Sequence, residues 1–362
     1  MGKNGTKRPK KFLHGWGSFP SELLDSILER LTSIFDYIQF SFVCKHWRRV
    51  ALNQKEQRLK SCHKQLIPLL LLIPTKNSNQ RRVLYSVTQG KVVRSFNVPN
   101  HHDDDKWLCG SSHGWLAYAD GNFLVTLVNP FTRGTIRLPQ VMEVGKYRPK
   151  CYSFDISKVV LSANPCLFPK DYEVLVIFED DDGVIKELAH FKSGDNAWTR
   201  SDNQMIDGLD ILDVIYYKGR FVALTSLDTD SDPGHDVNKF HPSIKFLSHP
   251  EEACNKSTYL VKSTWEDLLL VNINNSSSIK IFKQGSSYGE WVEIESIGTD
   301  TLFLDNMQSM CVSASYSGCH PNSIYFMECV VNLNTRKETR HDELPERTRP
   351  ITWIAPTAAF SI

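Results

Sequence analysis

Between Leu69 and Met327 the chain is a succession of short apolar runs, each closed off by Gly, Asn, Asp, Ser or Pro. Leu69 to Ile73, Trp115 to Ala119, Glu173 to Phe178, Phe221 to Leu224, Leu268 to Val271 and Ile279 to Phe282 are typical. Short runs of β-branched, aromatic and aliphatic residues between turn formers are strand signals. Many such strands over about 300 residues restrict the fold to a sandwich pair, a barrel or a propeller. The aromatic content of 11% suits the large cross-strand side chains of such sheets.

Internal repeats discriminate among these three. A glycine turn leading into an apolar strand occurs at His113-Gly114-Trp115-Leu116 and again at Lys218-Gly219-Arg220-Phe221, with a looser version at Pro321-Asn322-Ser323-Ile324. A polar turn leading into Trp occurs at Gly194 to Trp198 and at Ser287 to Trp291. The string V-N-x-x-T-R occurs at Val128 to Arg133 and at Val331 to Arg336. The units run to roughly 40 to 50 residues, the size of a four-stranded propeller blade. A propeller of about six blades is expected.

The stretch from residue 19 to about 60 has a different texture. Pro20, Ser21 and Glu22 suit a first helical turn, since Pro lacks only a donor that would be orphaned there and Glu complements the helix dipole. Leu24, Ile27, Leu28 and Leu31 then fall on one helical face, Thr32-Ser33 interrupts, and Asp36 can cap a second helix. Phe40, Val43, Cys44, Trp47, Val50 and Ala51 share a second stripe. Two or three short helices of this kind bury too little surface to stand alone and are expected to dock on something. The overall fold class is therefore α+β: residues 1–15 a disordered basic tail, 16–60 a helical module, and 65–362 an all-β domain. The tail, with Lys3, Lys7, Arg8, Lys10 and Lys11, serves either as a nuclear import signal or as a solubilising segment.

Bulk properties exclude several function classes. The net charge of +1 and the even spread of basic residues give no continuous footprint for nucleic acid. The most apolar run, Leu66 to Ile73, is far short of the roughly 20 residues a membrane span needs and reads as a buried strand. No segment resembles a secretory signal, and the nine scattered cysteines, without a C-x-x-C pair, read as free thiols in a reducing compartment. A cytoplasmic or nuclear location, or both, is expected.

Catalytic and metal motifs are sparse. His101-His102-Asp103-Asp104-Asp105 reads as a solvated loop before it reads as a metal site. Glu179 to Gly183 reads as a hairpin turn. Cys311, Cys319 and His320 form a candidate nucleophile or zinc set, with two core thiols and a turn His as the plainer reading. Gly110 to Gly114 lacks the spacing of a phosphate loop or a nucleophile elbow. No catalytic residue, cofactor or metal ligand is assigned.

Two sets of residues carry a family resemblance. Phe19-Pro20-Ser21-Glu22-Leu23-Leu24, Ile27-Leu28, Leu31, Asp36, Val43-Cys44-Lys45-His46-Trp47-Arg48 and Ala51 resemble the F-box, with Phe19 in place of the usual Leu. The β domain resembles the large plant F-box family whose C-terminal domain is described as kelch-like. The residues that carry this are Cys109 to Leu116, Leu127 to Thr132, Ile136 to Pro139, Gly318 to Phe326 and Trp353 to Pro356. The resemblance implies a non-catalytic substrate receptor of an SCF (Skp–cullin–F-box) ubiquitin ligase. It would bind a Skp-type adaptor, and through it a cullin scaffold, by Phe19, Pro20, Leu23, Leu24, Ile27, Leu28, Leu31, Val43, Cys44 and Trp47. The β domain would hold an unidentified target protein. The alternative is a propeller that binds or processes a glycan or small molecule, with the N-terminal helices as a structural cap.

Overall fold

The computed structural model describes residues 19–31, 34–41, 43–53, 67–75, 81–97, 106–141, 154–180, 186–200, 211–226, 243–250, 257–275, 278–286, 289–341 and 344–356. The chain divides into two units, Met1–Gln65 and Leu66–Ile362.

The first unit contains α1 (Ser21–Arg30), α2 (Ile34–Ser41) and α3 (Lys45–Asn53). Pro20 stands just before α1, and its carbonyl accepts the Leu24 N–H at 3.2 Å, which closes the first turn. Glu22 in that turn and Arg30 in the last complement the helix dipole. Asp36 lies inside the first turn of α2, so it is not that helix's cap residue. The expected stripe from Phe40 to Ala51 is also interrupted, because the chain leaves helical geometry at Val43-Cys44 before α3 begins. Leu24, Leu28, Tyr37, Phe40, Trp47, Val50 and Ala51 are buried together, and the Tyr37 hydroxyl donates to Ala51 O at 2.5 Å.

Among the described residues the second unit forms the six sheets of a β-propeller. The first blade contains β1 (Leu69–Pro74), β2 (Arg81–Ser86) and β3 (Lys91–Asn97), and the second β4 (Trp107–Ser112), β5 (Trp115–Ala119), β6 (Leu124–Val128) and β7 (Thr135–Gln140). The third contains β8 (Phe154–Leu161), β9 (Glu173–Asp180), β10 (Lys186–Lys192) and β11 (Thr199–Arg200). The fourth contains β12 (Ile211–Tyr217), β13 (Arg220–Thr225) and β14 (Ile244–Ser248), and the fifth β15 (Thr258–Lys262), β16 (Leu268–Asn275), β17 (Ser278–Gln284) and β18 (Trp291–Ile294). The sixth contains β19 (Asp300–Phe303), β20 (Met310–Ser313), β21 (Ser323–Tyr325), β22 (Cys329–Asn332) and β23 (Glu338–Arg340), with a one-turn helix α4 (Ala314–Ser317) before β21. Finally β24 (Thr348–Ile354) pairs antiparallel with β1, Leu69 opposite Ile354, and closes the ring inside the first blade. Pairing is antiparallel except for β13 with β14 and β19 with β21.

Both faces of the third to sixth blades are covered, which explains why their inner strands read as continuous apolar runs. In β9, Val174, Val176 and Phe178 pack toward the second blade while Leu175 and Ile177 pack toward the fourth. In β13, Phe221 and Ala223 face the third blade while Val222 and Leu224 face the fifth. Each Val, Leu, Ile or Phe side chain among these contributes on the order of 2 kcal/mol.

The repeats seen in sequence are repeats of turn geometry. His113-Gly114 and Lys218-Gly219 connect the first two strands of the second and fourth blades, and all four residues have positive φ (50°, 78°, 48° and 81°). Two consecutive positive φ values make the tight hairpin turn that matches strand twist and favours glycine. Both V-N-x-x-T-R strings form the same connection to the outermost strand. The Asn carboxamide oxygen accepts two backbone N–H groups (Phe131 and Thr132, or Asn334 and Thr335), and the Arg backbone is left-handed. Trp198 and Trp291 each donate the indole N–H to a carbonyl of the preceding blade, Pro139 O at 2.8 Å and Ser248 O at 2.9 Å.

Candidate functional site

The F-box-like residues divide into those that hold the helical module together and those that leave it. Leu24 and Leu28 are fully buried. Trp47 packs between Phe40, at 4.5 Å between ring centroids, and Phe19, at 6.3 Å edge-to-face. Beside it the His46 Nε2–H donates to Phe19 O at 2.9 Å, so the Cys44-Lys45-His46-Trp47 segment clamps the start of α1. Phe19, Leu31 and Cys44 are half-buried and Pro20 is exposed. Leu23 (52% exposed), Ile27 (37%) and Val43 (48%) point out of the module. In α1, then, two adjacent apolar stripes run side by side. Leu24 and Leu28 face inward, and Leu23 and Ile27, one turn apart, face outward.

In the propeller, the family-like motifs prove to be joints between blades. Gly110 lies so close to the third blade that a Cβ there would stand 2.4 Å from Val159 O. Ser112 Oγ donates to Leu161 O and accepts the Leu161 N–H. The Trp115 indole donates to Asn164 Oδ1 at 3.0 Å. Three buried carboxylates do similar service. Asp213 accepts from Lys158 Nζ in the third blade and from the Leu260 N–H in the fifth (2.7 Å). Asp300 accepts the Thr264 N–H (3.1 Å) and hydroxyl (2.5 Å) from the fifth blade. Asp305 accepts from Thr352 and Trp353 of β24. These acids are held by neighbouring blades rather than gathered around a pocket.

The candidate Cys311, Cys319 and His320 set is not brought together as a site. Cys311 lies in the layer between the fifth and sixth blades and donates to Asp300 Oδ2, while Cys319 lies in the layer between the sixth and first. Burial pushes the thiols of both up, the reverse of an activated nucleophile. His320 stacks on Tyr325 at 6.5 Å. Among the described residues no three His, Cys, Asp or Glu side chains are grouped to hold a metal ion, and no helix is long and apolar enough to cross a membrane. His101 to Asp105 lie outside the described residues. Lys186 pairs with Glu179, so β9 and β10 are a hairpin, although its turn also lies outside them.

A three-helix F-box module in series with a six-bladed propeller defines a substrate-receptor type of F-box protein, a class that is generally non-catalytic. Comparison with known families agrees. The F-box domain matches residues 16–58, and the KIB1-4 beta-propeller matches residues 84–347. F-box protein At2g26160 of Arabidopsis thaliana is 25% identical, over 87% of this chain and 96% of its own length. Probable F-box protein At4g22060 of Arabidopsis thaliana is 27% identical, over 90% and 91%. F-box/kelch-repeat protein At1g57790 of the same plant is 26% identical, over 88% and 84%. The chain belongs to the KIB1-4 beta-propeller family of plant F-box proteins.

Proposed function

We propose that the chain is the substrate-recognition subunit of an SCF-type ubiquitin ligase. The F-box docks a Skp-type adaptor and through it a cullin, and the propeller holds a target protein near a ubiquitin-loaded enzyme, acting by proximity. The observation that carries this is the second apolar stripe of α1. A helix with both stripes apolar needs two partners. Leu24 and Leu28 have theirs inside the module, while Leu23 and Ile27, with Val43, are left for a partner. Helix-in-groove burial of a few such anchors carries most of the affinity in interfaces of this kind. The setting is the cytoplasm, the nucleus or both.

Affinity capture of the intact chain from plant cells under proteasome inhibition tests the reading. Adaptor and cullin co-purify with the intact chain and are absent when residues 1–65 are removed. Equal recovery of a cullin without the F-box contradicts it.

A further inference from the structure

The turn from β15 to β16 holds out the most exposed large apolar side chain among the described residues, Trp265, at 75%. The turn is fixed from within and from both sides. Ser263 Oγ accepts the N–H groups of Trp265 (3.2 Å) and Asp267 (3.0 Å). Asp300 of the sixth blade accepts the Thr264 N–H, and the Tyr217 hydroxyl of the fourth blade donates to Glu266 O at 2.8 Å. A bare indole on a fixed turn is pre-organised for contact, and Trp is enriched among the residues that carry protein–protein affinity.

Trp265 begins a row along one edge of the fifth blade. Adjacent strands bring to that edge Trp265 in the turn, Asp267 just before β16, Lys283 near the end of β17 and Val292 near the start of β18. Lys283 Nζ meets Asp267 Oδ2 at 2.8 Å. Val292, 49% exposed, lies directly opposite Lys283 in the ladder, so the two side chains share a face of the sheet. The row therefore reads apolar, anion, cation, apolar, with neighbouring strands about 4.8 Å apart. Lys262 and Glu266 of the same turn pair with each other at 2.8 Å.

Such a row selects its partner by order. A surface that covers it has to offer apolar, cation, anion, apolar, and the same row turned end for end does so. With a twofold axis between Asp267 and Lys283, each Trp265 meets the other copy's Val292 and each Asp267 the other copy's Lys283. This is the self-complementarity of an isologous dimer. A nucleic acid or an anionic membrane would set like charges beside Asp267, whereas the net charge of +1 keeps repulsion between copies weak.

We infer that this edge of the fifth blade is a contact between two copies of the chain, with Trp265 and Val292 as its apolar anchors and Asp267 and Lys283 exchanging partners across the axis. The assembly carries two propellers and two F-box modules, and a bivalent receptor holds a target with two binding points more tightly than one copy does. The contact stands apart from the ubiquitin-ligase reading, and either can fail alone.

Sedimentation velocity of the purified full chain from about 1 to 200 µM tests it. A row of this size is at the low end of specific interfaces, so the wild type is expected to dimerise with a Kd on the order of 10 µM. W265A weakens the dimer at least about tenfold through the loss of an aromatic anchor. V92A, which removes a similarly exposed apolar side chain from the first blade, leaves it unchanged. D267K and K283D are each monomeric, because each sets like charges across the axis, and the two mixed in equal amounts form a heterodimer. Circular dichroism checks the variants, and V292K replaces W265A if that variant melts early. A wild type that is monomeric at about 200 µM overturns the contact, as does a dimer that W265A leaves intact or V92A dissolves. D267K and K283D that stay monomeric when mixed overturn the twofold pairing. W265A keeps wild-type affinity for a purified Skp-type adaptor, so failure of the dimer and failure of the receptor reading are told apart.

Discussion

Asp305, in the loop after β19, accepts the backbone N–H of Trp353 in β24 at 2.6 Å, and so ties the sixth blade to the strand that closes the ring. The same oxygen accepts the Thr352 hydroxyl at 2.9 Å, and the other accepts the N–H groups of Met307 and Gln308 at 2.6 and 2.9 Å. Four donors on one buried carboxylate make this a joint that tolerates little substitution. Asp305→Asn turns one acceptor into a donor facing donors and is expected to cost about 2–4 kcal/mol. Urea unfolding measures it, and a change below about 0.5 kcal/mol would remove Asp305 from the closure.

The joint also carries a pH signature. Burial lifts the Asp305 carboxyl above its usual range, against the opposing pull of its hydrogen bonds. The folded chain then holds this proton more tightly than the unfolded chain does. Its contribution is most favourable below the unfolded value of about 3.9 and declines as pH rises through the folded value. The stability difference between wild type and Asp305→Asn is expected to shrink as pH rises across that window. A difference that grows with pH would mean that the hydrogen bonds outweigh burial.

Gly110 is required by contact rather than by conformation. With Val159 O 2.4 Å from where a Cβ would stand, and the obstacle a strand backbone, Gly110→Ala has to part the second and third blades. A loss of about 1–3 kcal/mol is expected, read as a lower thermal midpoint. An unchanged midpoint would show that the blades can separate freely there.

The architecture was legible where the sequence repeats a backbone requirement. The paired positive-φ turns at His113-Gly114 and Lys218-Gly219, and the Asn-anchored turns at Asn129 and Asn332, are local and recur, so they announce the blades. Strands such as β3, β7 and β23 were not legible, because outer strands carry charged and polar residues and lack an apolar run. Parallel pairing of β13 with β14 joins strands distant in sequence, which no local pattern encodes. In the F-box, helical periodicity placed Leu24, Ile27 and Leu28 on one face but could not say which of them face inward. That division depends on the packing of Trp47 and Phe40 from the other helices.

The split of the α1 stripes is the most direct test of the central claim. Leu28→Ala removes a fully buried side chain and is expected to destabilise the helical module by about 2–5 kcal/mol. Leu23→Asp with Val43→Asp changes only exposed positions and leaves the module's circular dichroism and melting unchanged. The decisive measurement is the affinity of the purified full chain for a purified Skp-type adaptor. Wild type is expected to bind and L23D/V43D to lose at least about a hundredfold, since two charges replace apolar anchors in a desolvated groove. Retention of wild-type affinity by a folded L23D/V43D chain would contradict the docking surface, and with it the assignment of this protein to a ubiquitin ligase.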